Sequence, residues 1–269
     1  MSQEPRRAPA QTILSVVSTE WLTPHLVRLV LGGDGFVGFV NNPATDKYVK
    51  VFFVKPELGL EPPYDLPALR ESLPQEDWPV VRTYTVRWVD EETRQLAIDF
   101  VVHGDEGVAG PWAAAARVGD RIVFAGPGGA FIPNPDASAY VLAGDESATP
   151  AVAAALEALP PTATGFALLE AGDHTDVFLL DAPEGIEIDW VLRSQGEDLA
   201  SAVAALDWPV GDVQVFAHGE RESMKALRAV FAERGVSREL RSLSGYWAKG
   251  RTEDRFQAEK REPIGQIGD

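Results

Sequence analysis

Cysteine is absent from the 269 residues, which excludes disulfides, thiolate-ligated iron-sulfur clusters, zinc ribbons and thiol nucleophiles. Any redox chemistry must therefore come from a bound cofactor. Positive charge is also scarce. The chain has 24 Lys+Arg against 41 Asp+Glu, a formal net charge of −17, so a nucleic-acid partner is not expected. No apolar run approaches the roughly 18 residues of a spanning helix, and the opening "MSQEPRRAPAQ" carries charge with no apolar segment after it. Membrane insertion is not expected, and a cytoplasmic location is. Several catalytic signatures are missing as well: there is no HExxH, no Walker GxxxxGK(S/T) despite "GPGGAF", no GxSxG and no His/carboxylate cluster at metal spacing. Hydrolysis and metal catalysis have little to stand on.

What the chain does contain is a packed globular composition, 45% hydrophobic and 9% aromatic. The first half alternates β-branched and aromatic residues in "QTILSVVS", "HLVRLVLGG", "KYVKVFFV", "VVRTYTVRWV", "QLAIDFVVH" and "DRIVFAG", separated by Gly, Pro and Asp turns. About six strands with few helices predict a small antiparallel β-barrel. The Pro-rich insert from Pro56 to Pro79 reads as an irregular surface loop. After "FIPNPDAS" the pattern changes to short apolar strands alternating with helical segments, from "AYVLAG" and "PAVAAALEAL" to "DVQVFAHG" and "SMKALRAVFAERG". That βαβ order predicts a parallel sheet with helices on its faces. Two domains are expected, 1–136 and 137–269, with "REPIGQIGD" as a loose tail.

In "RTYTVRWV", period-two alternation places Arg82, Tyr84, Val86 and Trp88 on one face and Thr83, Thr85 and Arg87 on the other. Tyr84 offers a ring for stacking and Arg82 a cation for an anionic group, although an ordinary barrel strand has the same look. From His103 to Asp120, "HGDEGVAGPWAAAARVGD" runs a Gly-rich loop into a helix with Pro111 as its expected first residue. Its free N–H groups suit a phosphate, and a plain crossover helix is the other reading. "AYVLAGDESATPAVAAALEAL" places a Gly-Asp-Glu-Ser-Ala-Thr turn at the carboxyl end of the first strand of a parallel sheet, where a nucleotide tends to sit. It lacks the GxGxxG pattern, and Asp145 and Glu146 disfavour direct phosphate contact. In "FAHGERESMKALR", His218 has the pattern of a structural histidine and Ser223 is the expected N-cap of a helix from Met224 to Glu233. "SGYWAKGRTEDR" sets Tyr246 and Trp247 beside Lys249 and Arg251, suited either to an anionic ligand or to anchoring the C-terminal segment. Between Gly219 and Glu262 there are 11 Lys+Arg against 8 Asp+Glu, a locally basic region on an acidic chain.

Taken in order, "DKYVKVFF", "RTYTVR", "DFVVHGDEGVAGPWAAAARVGDRI", "GPGGAF", "YVLAGDESATPA", "FAHGERESMKALR" and "GYWAKGRTED" closely resemble the siderophore-interacting protein family. Its members are FAD-dependent ferric-siderophore reductases of the ferredoxin-reductase-like superfamily. The resemblance runs from about Thr12 to Asp254 and implies an N-terminal FAD-binding barrel followed by an NAD(P)H-binding-like α/β domain. It implies FAD contacts from Arg82, Thr83, Tyr84 and Thr85, with Arg82 on the pyrophosphate and Tyr84 against the isoalloxazine. Further FAD contacts are implied for Phe100, Val102, His103, Gly107, Val108, Ala109, Gly110, Pro111, Trp112 and Ala113. The turn Gly144, Asp145, Glu146, Ser147, Ala148 and Thr149 resembles the family's nicotinamide approach, and Lys47, Lys50, Lys249 and Arg251 match or neighbour basic positions near the siderophore. Many members carry an arginine in a Gly-Pro-Arg-Gly turn after the sixth strand. Here Gly128 stands in that position, so a siderophore contact is missing or is replaced by Arg117 or Arg251.

The implied chemistry is hydride transfer from NADH or NADPH to FAD, then single-electron transfer to siderophore-bound Fe(III). Fe(II) is released because hard oxygen ligands hold it less well. No catalytic side chain is required. Two other readings remain open: a flavin reductase that serves a protein partner, and a siderophore-binding protein without turnover. Glu170 ends the second strand of the C-terminal half, where a carboxylate favours a ribose 2′-OH and hence NADH in a Rossmann fold, whereas the superfamily resemblance implies a nucleotide bound in another manner. NADPH, and a ferredoxin as donor, stay open beside it.

Overall fold

The structure is a computed structural model that describes residues 10–104 and 107–267. Residues 1–9, residues 105–106 of the Gly-rich stretch and residues 268–269 of the expected tail lie outside the described residues. The chain divides into two compact units. One runs to Asn42 and resumes over Lys47–Gly129, and the other takes Pro43–Asp46 with the described chain from Ala130 onward. Asp46 fixes the short segment in the second unit, since one of its carboxylate oxygens accepts from the backbone N–H of both Ala130 and Phe131 at 2.8 Å.

Six strands close an antiparallel barrel: β1 (Gln11–Thr23), β2 (Leu26–Gly32), β3 (Tyr48–Phe53), β4 (Val80–Asp90), β5 (Gln95–Val101) and β6 (Arg121–Gly128), in the order β1-β2-β5-β4-β3-β6. Alternation sends Leu29, Leu31, Val49, Val51, Leu96, Ile98, Phe100 and Phe124 inward. Each such side chain contributes about 1.5–3 kcal/mol of burial. The Pro56–Pro79 insert is more ordered than an irregular loop. It carries helix α1 (Leu66–Ser72), whose first turn is capped by the Asp65 carboxylate accepting from the Ala68 N–H at 3.2 Å. Helix α2 (Ala109–Ala115) lies between β5 and β6.

In the second unit β7 (Ala139–Gly144), β8 (Thr164–Ala171), β9 (Gly185–Leu192), β10 (Val213–Glu220) and β11 (Arg241–Trp247) form a parallel sheet in the order β11-β10-β7-β8-β9. Helices α3 (Thr149–Glu157), α4 (Leu199–Ala204) and α5 (Arg221–Glu233) cover it. Odd-numbered Val141, Ala143, Val215 and Ala217 pack with Leu227 and Phe231 of α5. Even-numbered Tyr140, Leu142 and Phe216 pack with Val152 and Leu156 of α3. Both faces are therefore apolar, as a parallel sheet requires.

Helix α5 begins earlier than expected. Its N-cap is Glu220, whose carboxylate accepts from the N–H groups of Glu222 and Ser223, so Ser223 is a capped residue and not the cap. The final segment is not loose over its described length. Helix α6 (Glu253–Glu259) docks through Glu259, which accepts from Arg221, Arg251 and Arg255 at 2.7–2.9 Å. These partners, Arg221 foremost, hold the Glu259 carboxyl down at about 2. Ile267 packs on the same core as α5.

His218 of β10 is buried, with Nδ1 2.9 Å from the Tyr246 hydroxyl and Nε2 3.0 Å from the Ser242 hydroxyl. Burial, aided by the positive charge of Lys260, lowers its pKa to about 3. Because the folded value lies below the ordinary 6.5, the neutral ring's contribution is complete above pH 6.5 and is lost as the pH falls below it. Stability should then fall by up to about 1.4 kcal/mol per pH unit from this residue. Urea unfolding at pH 7.5 and 5.5 should show a loss of about 1.4 kcal/mol in total from this residue, and His218→Gln should shrink it; equal losses in the two proteins would refute the assignment.

Candidate functional site

The barrel is not sealed evenly. β4 pairs with β3 from Val80 to Thr85, but with β5 only from Val86 to Asp90. Over Val80–Thr85 its other side has no strand partner among the described residues. A bulge at Arg87 stands at the parting point, since Val86 pairs with Ile98 and Trp88 with the next residue, Ala97. The extra residue also breaks the predicted alternation. Val80, Tyr84, Val86 and Val89 pack on the core, so Trp88 does not share the face of Tyr84.

Between the part of β4 that has left β5 and α2 lies a group of aromatic rings. Tyr84 is 4.2 Å from Phe100 between centroids, Phe100 is 6.0 Å from Trp112, and Phe53 is 5.6 Å from Trp112. Phe100 is fully buried, so it supports Tyr84 and Trp112 from beneath and offers no surface itself. Ala109 and Ala113 are buried in the same way, and Val102 nearly so. The half-buried members are Arg82, Tyr84, Gly110, Pro111 and Trp112, while His103, Gly107 and Val108 are exposed.

Helix α2 starts at Ala109, two residues before the expected Pro111. Pro111 still costs no hydrogen bond, because the first intrahelical bond is from the Trp112 N–H to the Val108 carbonyl at 3.2 Å. Gly110 is tight against β5: a Cβ there would lie 3.2 Å from the Val101 carbonyl oxygen. The helix start is thus held close to the strand end by the lack of a side chain. Beside it an open groove of about 540 Å³ is lined by Pro24, His25, Val102, Gly104, Pro111, Ala114 and Ala115. Pro24 and His25 form the tight turn joining β1 to β2. Nothing in their local pattern separates them from an ordinary hairpin turn, which is why the sequence did not nominate them.

On the outer face of β3 and β4, Lys50 donates to the Thr83 hydroxyl of its cross-strand neighbour and its ammonium lies 5.7 Å from the Tyr48 ring centre. Arg82 Nη1 donates to the Val81 carbonyl at 2.9 Å. Thr85 is buried and pairs with Tyr48. Gly128 is the last residue of β6, not part of a following turn, and pairs with Tyr48. A Cβ at Gly128 would come within 2.5 Å of the Tyr48 ring, so Tyr48 fills the space a side chain would need. Lys47 is half-buried just ahead of β3.

In the second unit, Gly144–Thr149 joins β7 to α3. Asp145 is buried and accepts four hydrogen bonds: from the Ser147 N–H and hydroxyl, from the Glu220 N–H at 2.8 Å and from Trp247 Nε1 at 2.7 Å. Burial raises its pKa despite these donors. Asp145 therefore ties the ends of β7, β10 and β11 together and has no surface for a ligand. Gly144, Ala148 and Thr149 are buried too, so of the expected nicotinamide turn only Glu146 and Ser147 reach the surface. Glu146 and Glu170 both accept from Arg193, a residue the sequence did not single out, with Arg193 Nη1 at 2.8 and 2.9 Å. Arg251 Nε is engaged by Glu259 at 2.7 Å, whereas the Lys249 side chain is exposed and its N–H donates to Glu220 at 3.0 Å. Among the described residues no group of three or more Asp, Glu or His is placed to hold a metal ion.

Comparison with known proteins bears on both units. The profile of the siderophore-interacting FAD-binding domain matches residues 15–131, and that of the siderophore-interacting protein matches residues 137–250. The ferric vibriobactin reductase ViuB of Vibrio cholerae is 34% identical, over 97% of both chains. The NADPH-dependent ferric-chelate reductase of Escherichia coli is 30% identical, over 87% of this chain and 91% of that one. A crystal structure of a siderophore utilization protein from T. fusca superposes with a TM-score of 0.77 at 37% identity, covering 90% of this chain and 94% of that one. With both units matched in order, the chain belongs to the siderophore-interacting protein family.

Proposed function

We propose that this protein is a flavin-dependent reductase that takes electrons from a reduced nicotinamide and reduces Fe(III) held by a siderophore, in the cytoplasm where reduced nicotinamides are available. The observation that carries the reading is the parting of β4 from β5 over Val80–Thr85, floored by Tyr84 and Trp112 and flanked by the start of α2. The residues present fit FAD. A strand edge outside the β5 ladder suits the polar rim of a flat heterocycle, the rings suit its face, and the side-chain-free Gly110 lets backbone N–H groups approach a diphosphate. When bound, FAD supplies a two-electron acceptor for hydride that can also give up electrons one at a time, as iron requires.

The remaining work falls to the chain itself. Arg82 would supply a cation for the diphosphate, a guanidinium being suited to charge-assisted hydrogen bonds with phosphate oxygens. Tyr84, braced by Phe100, would pack on the ring system, and the backbone of Thr83 to Thr85, outside the β5 ladder, would offer it donors and acceptors. Thr85 is too buried to contribute more than its backbone or hydroxyl from within the strand. Lys47 and Lys50 provide positive charge on the barrel surface for an anionic ferric complex. Lys249 is an exposed cation of the second unit suited to the same task. No side chain needs to move a proton. The names of ViuB and of the E. coli protein supply the substrate class, a ferric siderophore or chelate.

Purified protein should be yellow, bleach on addition of NADH or NADPH without air, and regain its flavin bands when a ferric siderophore is added. A bleached protein reoxidised only by a protein acceptor would favour a flavin reductase, and a colourless protein that takes up no FAD would refute both. Arg82→Ala should weaken FAD by about 10- to 100-fold, the loss of a charge-assisted hydrogen bond worth roughly 1.5–3 kcal/mol. Tyr84→Ala should also lower retention. Equilibrium dialysis of FAD, with circular dichroism as a control for folding, measures both; undiminished binding in the two variants would show that the cofactor lies elsewhere.

A further inference from the structure

Four cations of the second unit converge on one cavity that flavin binding, the nicotinamide donor and iron reduction leave unused. The cavity measures about 620 Å³, inside the range of roughly 300–1,000 Å³ in which small-molecule sites fall. Its basic residues come from separate elements. Arg228 stands in the middle of α5, Arg238 opens the turn Arg238–Leu240, Arg241 is the first residue of β11 and Lys260 follows α6. Among the described residues that line the cavity there is no aspartate or glutamate, so its wall carries a formal charge of +4 on a chain of −17. Glu239 lies between two of the arginines in sequence but outside the lining. Its carboxyl is held below the usual range by its own backbone N–H and by Ser237, and less by Arg238 and Arg241.

The rest of the wall suits an anion as well. The Lys260 ammonium lies 4.7 Å from the centre of the Phe256 ring, a cation–π contact that fixes its direction. β11 is the outer strand of the sheet and is bonded to β10 alone among the described residues. Leu243, Ser244 and Gly245 therefore bring to the cavity a strand edge, with N–H donors that no further strand takes up. Guanidinium groups bind carboxylate and phosphate oxygens through pairs of charge-assisted hydrogen bonds, and four cations around one space call for more charge than a univalent anion carries. The place is also distinct from the sites described above. Arg241 stands at the amino end of β11, whereas nucleotides of parallel sheets lie beyond the carboxyl ends. The length of β11, about 20 Å, separates Arg241 from Trp247, the strand's last residue, and Lys249 lies beyond it. Lys47 and Lys50 belong to the other unit.

We propose that this cavity is a binding site for a small organic polyanion, a molecule with two or more phosphate or carboxylate groups. Such a ligand would join α5, β11 and the segment after α6, and would offset the repulsion among the four cations. The test is calorimetry on the FAD-loaded full chain, with pyrophosphate and citrate as probes and acetate as the univalent control. At least one polyanion should bind one to one and at least tenfold more tightly than acetate. Pyrophosphate alone would assign the phosphorylated class, citrate alone the polycarboxylate class, and both together recognition of the shared oxyanion chemistry. Arg238→Gln and Arg241→Gln should each weaken binding about tenfold, the loss of one charge-assisted hydrogen bond. Lys50→Gln and Arg70→Gln remove the same charge from the barrel and should leave binding unchanged. Circular dichroism checks that the variants fold, and the bound polyanion should raise the Tm of the parent chain by mass action. Failure of both polyanions to bind, or binding that Arg238→Gln and Arg241→Gln weaken no more than Lys50→Gln does, would overturn the proposal.

Discussion

The candidate cofactor site depends on one constraint, that β4 cannot pair with both neighbours along its whole length. From Val86 to Asp90 it is bonded to β5, but below Val86 the two strands separate and β5 continues its ladder with β2 alone. The bulge at Arg87 bends the strand where the separation begins. An opening in a barrel wall would ordinarily expose apolar core and unsatisfied backbone to water. Here the opening is lined with half-buried rings and closed on one side by α2, so it is a slot with an apolar floor and a polar edge. Those are the two properties a planar heterocycle with a hydrogen-bonding rim requires.

The second unit is organised around a buried carboxylate. Asp145 receives donors from its own turn, from the end of β10 and from the indole of Trp247 at the end of β11, and so fixes three strand ends relative to one another. Gly219 is necessary to this arrangement. Its φ of +150° and the 2.7 Å from a would-be Cβ to Asp145 Oδ2 leave no room for another residue. A carboxylate used in this way is structural, and of the same turn only Glu146 and Ser147 reach the surface.

Much of this was legible from the sequence and part was not, for physical reasons. The barrel and the parallel sheet were readable because burial on one face, or on both, leaves a period of two or an apolar run. β11 was not, since "RSLSGYW" is an edge strand with small and polar residues and little alternation. The bulge was invisible because an inserted residue leaves composition unaltered and shifts only the phase of the residues beyond it. Ser223 reads as the cap because serine is a common cap, and in the structure the longer Glu220 side chain takes the role by folding back on two N–H groups. Asp145 and Arg193 show the limit most clearly. Whether a charged residue faces a ligand or another charge depends on partners 23 to 102 positions away, which no local motif records.

The basic C-terminal stretch makes the same point about charge. Read as a composition it suggests an attractive surface for anions. In the folded chain Arg221, Arg251 and Arg255 converge on Glu259, Lys225 bonds Glu222 and the Ile264 carbonyl, and Arg234 bonds the Ala204 carbonyl. Most of these five cations hold α6 and the segment after it in place, so a large part of the basic stretch serves to build the unit, while Arg228, Arg238, Arg241 and Lys260 line a cavity of about 620 Å³.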